Sequence, residues 1–265
     1  MATKFIKYEK ALLKIADTNI FAESAEIGVE AALQPVTSIS GTIIRYAPTS
    51  PIKGTLSFSH YCTGRLHDFL NPLTAIEHTG EPLAGSLAGM TFSSGYIRGL
   101  SFSVAPYSPI LFRSEMDIYG ELSSIEDAGE ADNTLRNQTE LAHGLRSYIA
   151  GTDLKINKKV SFDYSVSATR NPMVTIGNDM PSRVTKENVR INLSIAGEDV
   201  GDNLRVTGNY AALNINVLDT YGSSAIMNLG CTGRVFNQNL SVSEGGYIDG
   251  TIGVSQEYVT GRQLI

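Results

Sequence analysis

The strongest constraint in this sequence is a strict two-residue alternation. Val160, Phe162, Tyr164, Val166 and Ala168 alternate with Ser161, Asp163, Ser165, Ser167 and Thr169. Val189, Ile191, Leu193 and Ile195 alternate with Arg190, Asn192 and Ser194. Leu213, Ile215 and Val217 repeat the pattern, as do Leu100, Phe102 and Val104 around Ser101 and Ser103. Successive side chains on a strand point to opposite faces, so each run presents one apolar and one polar face. An amphipathic helix would return its apolar residues every three or four positions instead. Gly and Pro punctuate the runs at short intervals, among them Pro48, Pro51, Pro181, Gly197, Gly201, Gly245 and Gly246. Alternating strands with frequent turns predict an all-β fold with minor helix, an antiparallel sandwich or barrel. Two short helices are expected. One lies near Leu66, Phe69, Leu70 and Leu73, limited by Pro72, and the other within 136–149.

The runs recur in order. Ile15-Ala16-x-Thr18-x-Ile20 returns in the second half as Ile149-Ala150-x-Thr152-x-Leu154. Val29, Pro35, Ile39, Ile52, Leu56, Ser57 and Phe58 return, all at one spacing, as Val166, Pro172, Ile176, Val189, Leu193, Ser194 and Ile195. Leu100-Ser101-Phe102-Ser103 returns as Leu240-Ser241-Val242-Ser243, and Tyr107 matches Tyr247 at that same separation. A single Leu-Ser-x-Ser match follows from composition in any β-rich chain. Several in one order, with a separation that grows only slightly along the chain, predict an internal duplication. The expected units are 1–122 and 141–265, joined by the polar, acidic segment 123–140 with Glu126, Asp127, Glu130 and Asp132.

Charge and composition narrow the function. Twenty-one basic residues against twenty-seven acidic give a net charge of −6, unlike proteins that grip nucleic acid through clustered Lys and Arg. That balance still allows a protein that surrounds nucleic acid. No apolar run reaches the ~20 residues of a membrane helix. Lys4, Lys7, Lys10 and Lys14 interrupt the N-terminal apolar residues, unlike a secretory signal. Two cysteines, Cys62 and Cys231, give no disulfide framework, so synthesis in a reducing cytoplasm is expected. The Asn-x-Ser/Thr triplets at Asn137, Asn192 and Asn239 are then chance matches.

Chemistry is sparse. A hydrolase would place Cys62 or a serine beside His60, His67, His78 or His143, oriented by an acid such as Asp68, but no nucleophile-elbow sequence is present. His60, Cys62, His67 and His78 fit no standard zinc spacing, and no Cys-x-x-Cys occurs. Gly85 and Gly89 are not followed by the Lys-Ser/Thr of a phosphate loop. Cys-Thr-Gly-Arg occurs at 62–65 and 231–234, out of step with the repeat. Trp is absent, which weighs against a sugar platform. No catalytic, cofactor-binding or metal-binding residue is assigned, and an enzyme is not expected.

VSFDYSVSATRNPMVTIGNDMPSRVTKENVRINLSIAGED (160–199) and LSVSEGGYIDGTIGVSQEY (240–258) resemble the strand-and-hairpin units of bacteriophage tail-tube-type proteins. The features are alternating strands, a Pro-x-x-x-Ile-Gly turn, and a loop returning to a long strand. The likeness covers both halves, the second more fully. It implies two tandem β-sandwiches, each with one short helix and an extended hairpin, whose subunits join sheet edge to sheet edge around a DNA channel. A chain carrying two such units needs three copies for the circle that six single units close. The implied assembly is therefore a homotrimeric ring with pseudo-sixfold symmetry, stacked on others. Its channel is expected to be acidic and neutral, enclosing DNA without specific binding. Implied partners are other tail, sheath, neck or baseplate proteins, in a virion assembled in the host cytoplasm, with no membrane. The alternative is a receptor- or glycan-binding β-sandwich of a phage fibre or decoration protein.

Overall fold

The computed structural model describes residues 12–63, 70, 82–123, 140–151, 159–197, 210–220, 225–242, 248–259 and 262–264. The first half forms β1 (Leu13–Ile15), β2 (Thr18–Ile20), β3 (Ala22–Glu30), β4 (Leu33–Thr37), β5 (Ile43–Pro48), β6 (Lys53–Tyr61), β7 (Leu83–Leu87), β8 (Met90–Val104) and β9 (Leu111–Tyr119). The second forms β10 (Tyr148–Ala150), β11 (Lys159–Met173), β12 (Arg183–Gly197), β13 (Tyr210–Leu218), β14 (Ala225–Val242), β15 (Ile248–Val259) and β16 (Arg262–Leu264). All pairings are antiparallel, and the described residues include no α-helix. Each alternating run named from the sequence is a strand: β8, β11, β12 and β13.

The helix expected within 136–149 does not form over its described part. Ala142 and His143 instead make isolated bridges to Asp219 and Pro109, a turn follows, and β10 begins at Tyr148. The amides of Ala142 and His143 donate to the carbonyls of Cys62 and Leu218, so long-range partners replace helical ones. Of the helix expected near 66–73, only Leu70 is described, and it is buried. The acidic segment 123–140 lies outside the described residues except for Ser123 and Glu140.

Fourteen strands share one sheet, and β4–β5 forms a separate two-stranded ribbon. In the first half the order is β2-β1-β7-β8-β9-β6-β3, and in the second β10-β13-β14-β15-β12-β11. Apart from β2 in the first half and β16, which pairs with β15, in the second, the two read alike: β7 stands as β13, β8 as β14, β9 as β15, β6 as β12 and β3 as β11. Their irregularities coincide too. The β3–β6 ladder skips a residue between Ala22 and Ser24, and the β11–β12 ladder skips one between Lys159 and Ser161. These two places are related by the same spacing that carries Val29 to Val166. The β8–β9 ladder skips between Ile97 and Gly99, and the β14–β15 ladder between Val235 and Asn237. Bulges bend a strand at one defined position, so they serve as register marks. They also shift one expected match. The residue that stands to β15 as Leu100 stands to β9 is Gln238, and Leu240 takes the place of Phe102. The Leu-Ser-x-Ser strings are thus out of step with the ladders by one full pleat, on the same face.

The apolar phase of the strands builds one core. Leu56 and Phe58 of β6, Phe102 of β8, Met116 of β9, Tyr164 of β11, Leu193 and Ile195 of β12, and Val254 of β15 all belong to it. Phe162 and Val166 are buried as well, as their alternation requires. Each such side chain contributes roughly 1.5–3 kcal/mol by leaving water.

Candidate functional site

The halves meet on one strand. β8 is fifteen residues long, and its outer edge is shared. β7 takes it from Met90 to Gly95, and β11 takes it from Gly99 to Val104. In this joint Phe162 lies opposite Val104, Tyr164 opposite Phe102 and Val166 opposite Leu100. All six are buried. Phe102 stacks on Tyr164 with ring centroids 5.3 Å apart and tilts against Phe112 at 4.9 Å. On the polar face, the Ser103 hydroxyl donates to the Asp163 carboxylate at 2.5 Å.

Beyond the joint, β7 takes the edge of β8, and β11 departs from β8 and pairs on with β12. The departure coincides with a bulge between Ser167 and Thr169, where Asn188 of β12 adopts a left-handed φ of 49°. Asn tolerates that region better than most residues. The outer parts of β11 and β12 then form an arm over the outward side of β8 and β9. Val184 packs there with Tyr96 and Tyr119. Arg170 donates to the Ile97 carbonyl from Nε at 2.9 Å and Nη2 at 2.5 Å, with its guanidinium 6.0 Å from the Tyr96 ring centre. Burial pulls the Arg170 pKa below its usual value, and Asp117 opposes the shift. Burial, then Asp117, pushes the Tyr119 hydroxyl up to about 12. Asp117 itself is buried and receives Arg98 Nη1 at 3.3 Å and Lys53 Nζ at 3.4 Å. The cluster is a clamp: charges are matched by carbonyl and carboxylate, and aromatic faces fill the gap.

Among the described residues, no strand covers the edges that correspond to this joint. β3, the counterpart of β11, pairs only with β6 among the described residues. β14, the counterpart of β8, pairs with β13 as far as Arg234, and from Val235 to Val242 it has a described partner only in β15. The side chains there are accordingly less covered. Val29 is 37% exposed where Val166 is 1%, and Leu240 is 61% exposed where Phe102 is 3%. The β4–β5 ribbon continues β3 and β6 as the arm continues β11 and β12, and it exposes Leu33, Val36, Ile43, Ile44 and Tyr46.

The residues weighed for catalysis do not converge. His60 is fully buried between Phe58 and Phe112, with ring centroids 5.5 and 5.7 Å away. Cys62 is buried, and burial pushes its thiol up to about 12, far from a reactive thiolate. Cys231 has the same shift but sits inside β14, whereas Cys62 follows the end of β6. The His143 ring nitrogen accepts from the Leu145 amide at 3.1 Å. His67, His78 and Asp68 lie outside the described residues. Among the described residues no three of His, Cys, Asp or Glu are placed to share a metal, and no helix is long and apolar enough to cross a membrane.

The clamp residues were not singled out by sequence reasoning, although Arg170 leaves a trace. It occupies the next position in the apolar phase of β11, after Phe162, Tyr164, Val166 and Ala168. A cation in a buried phase signals a specific partner. Nothing comparable marks Tyr96, Asp117 or Tyr119. Comparison with protein-family models and with curated proteins gives no match.

Proposed function

We propose that this chain is a virion structural protein of the bacteriophage tail-tube type, built from two copies of one β-sandwich domain and working by assembly rather than catalysis. The observation that carries the reading is the shared strand order of the two halves, with bulges at matched positions and an edge-to-edge joint between them. A duplicated unit already joined once through its edges has the means to join again. Closed symmetry is the usual way for identical chains to satisfy such edges. The proposed assembly is a homotrimeric ring with pseudo-sixfold symmetry, part of a tail tube or an adjoining neck or baseplate hub, in which joints within and between chains alternate. The polar face of the joint is mostly neutral, with Ser101, Ser103, Ser165, Asn192 and Ser194, and it carries one acid, Asp163, and one base, Arg113. A single arginine balanced by an aspartate gives passing phosphates no net cationic hold.

Native mass spectrometry and negative-stain imaging of the purified full chain test this reading. Trimers that image as six-lobed rings are expected. A ring of six full chains, a persistent monomer, or a strongly basic channel would each overturn it.

A further inference from the structure

We infer that the free edge of β3 in one chain adds to the Asn237–Val242 edge of β14 in a second copy, with Ile27 directly opposite Leu240. The inference rests on the assembly reading above and gives it a register. The internal joint is the template. The bulge at Ala22/Ser24 marks β3 where the bulge at Lys159/Ser161 marks β11. The bulge at Val235/Asn237 likewise marks β14 where the one at Ile97/Gly99 marks β8. Carried across, Tyr164 opposite Phe102 becomes Ile27 opposite Leu240, and Val166 opposite Leu100 becomes Val29 opposite Gln238. On the other face, Asp163 opposite Ser103 becomes Glu26 opposite Ser241. The leading pair on each face keeps its chemistry: two apolar side chains inside, a carboxylate facing a hydroxyl outside. The backbone requirement is met as well, since both edges lack a described strand partner and an unpaired antiparallel edge accepts another strand.

The ribbon supplies the second contact. Leu33 takes the place of Arg170 in the arm, and Arg234 takes the place of Tyr96 beneath it. The cation has therefore changed sides. A Leu33 that is 56% exposed in the single chain, against 6% for Arg170, gains cover when the ribbon lies across β14 and β15. The exchange also disfavours one wrong pairing, that of the arm with the β14 seat. Arg170 over Arg234 would set two cations together, and such mismatches separate right partners from wrong ones. The joints within and between chains are thus not interchangeable, which fixes the head-to-tail polarity of the chain.

Disulfide trapping in the full-length chain tests the register. Opposite residues on antiparallel strands have Cα atoms about 4.5–5.5 Å apart, inside the range a disulfide spans, whereas diagonal neighbours lie at about 7–8 Å. The native thiols of Cys62 and Cys231 are buried and stay out of the reaction. Oxidation of the double variant Ile27→Cys/Leu240→Cys is expected to give covalent oligomers. Their yield should be about tenfold above that of Ile27→Cys/Gln238→Cys or Ile27→Cys/Val242→Cys, which are diagonal in this register. The last pair is the one that the Leu-Ser-x-Ser match would favour. Should Ile27→Cys fail to fold by circular dichroism, Val29→Cys/Gln238→Cys probes the same register. Assembly seen by light scattering with trapping at a diagonal pair, or at no pair, overturns the register and leaves the ring intact. Absence of both assembly and trapping overturns the two together.

Discussion

The internal joint and its open counterpart differ most at Phe102 and Leu240, so these two positions give the sharpest test of the structure. Phe102 is buried against two aromatic rings, with centroids 4.9 and 5.3 Å away. Truncation of a buried Phe to Ala costs about 3–5 kcal/mol, and favourable ring pairs are worth about 0.5–1.5 kcal/mol each. Phe102→Ala therefore belongs at the top of that range, about 4–5 kcal/mol, a large share of the roughly 5–15 kcal/mol that keeps a domain folded. Phe102→Leu keeps most of the volume and loses the ring contacts, for about 1–2 kcal/mol. Leu240→Ala in the dispersed chain removes a largely exposed side chain and should change stability by less than about 0.5 kcal/mol. Urea unfolding followed by far-UV circular dichroism measures all three, with no Trp present to report by fluorescence. The expected result is a graded drop in midpoint at constant slope for the Phe102 variants and none for Leu240→Ala. A loss under about 1 kcal/mol for Phe102→Ala, or equal losses for Phe102→Leu and Leu240→Ala in dispersed chains, would refute the burial argument.

Two further outcomes follow from buried polar groups. Arg170→Ala should cost about 2–3 kcal/mol in the same unfolding assay, through lost packing and two lost charge-assisted hydrogen bonds; Arg170→Met, which keeps the stem and removes the buried charge, should stay within about 1 kcal/mol. The raised thiols of Cys62 and Cys231 set an alkaline limit, because the unfolded chain gives up protons from the ordinary thiol value of 9.0 while the folded chain holds them to about 12. Stability should therefore be unaffected by these groups below pH 9.0, fall between 9.0 and about 12, and fall less steeply in that window in Cys231→Ala; an unchanged slope in that variant would show that the Cys231 shift is absent.

The strands of this protein are legible because their cause is local. Phe162, Tyr164 and Val166 alternate with polar residues, and a pleated backbone turns that spacing into one buried face whatever the neighbour is. The arm turn at Pro172–Gly177 is legible for the same reason, since Gly177 supplies the positive φ of 88° that the turn requires. Spacing also brings out recurring strings in the two halves, in register with the ladders for β3 and β11 but not for β8 and β14. An extra residue in a bulge shifts a ladder without disturbing the alternation on either side, so Leu240 appeared to match Leu100 when it stands in the place of Phe102. The segment after Glu140 shows the limit from the other side. Its composition permits a helix, yet the carbonyls of Cys62 and Leu218 take its amides. The joint itself was beyond sequence reading. That β11 completes the edge of β8 is decided by which edge β7 leaves uncovered, and Arg170, Tyr96 and Asp117 become a clamp only after that choice is made. Alternation determines which face of a strand is apolar; only the tertiary structure decides which edge it meets, because edge pairing depends on backbone groups that every residue carries alike.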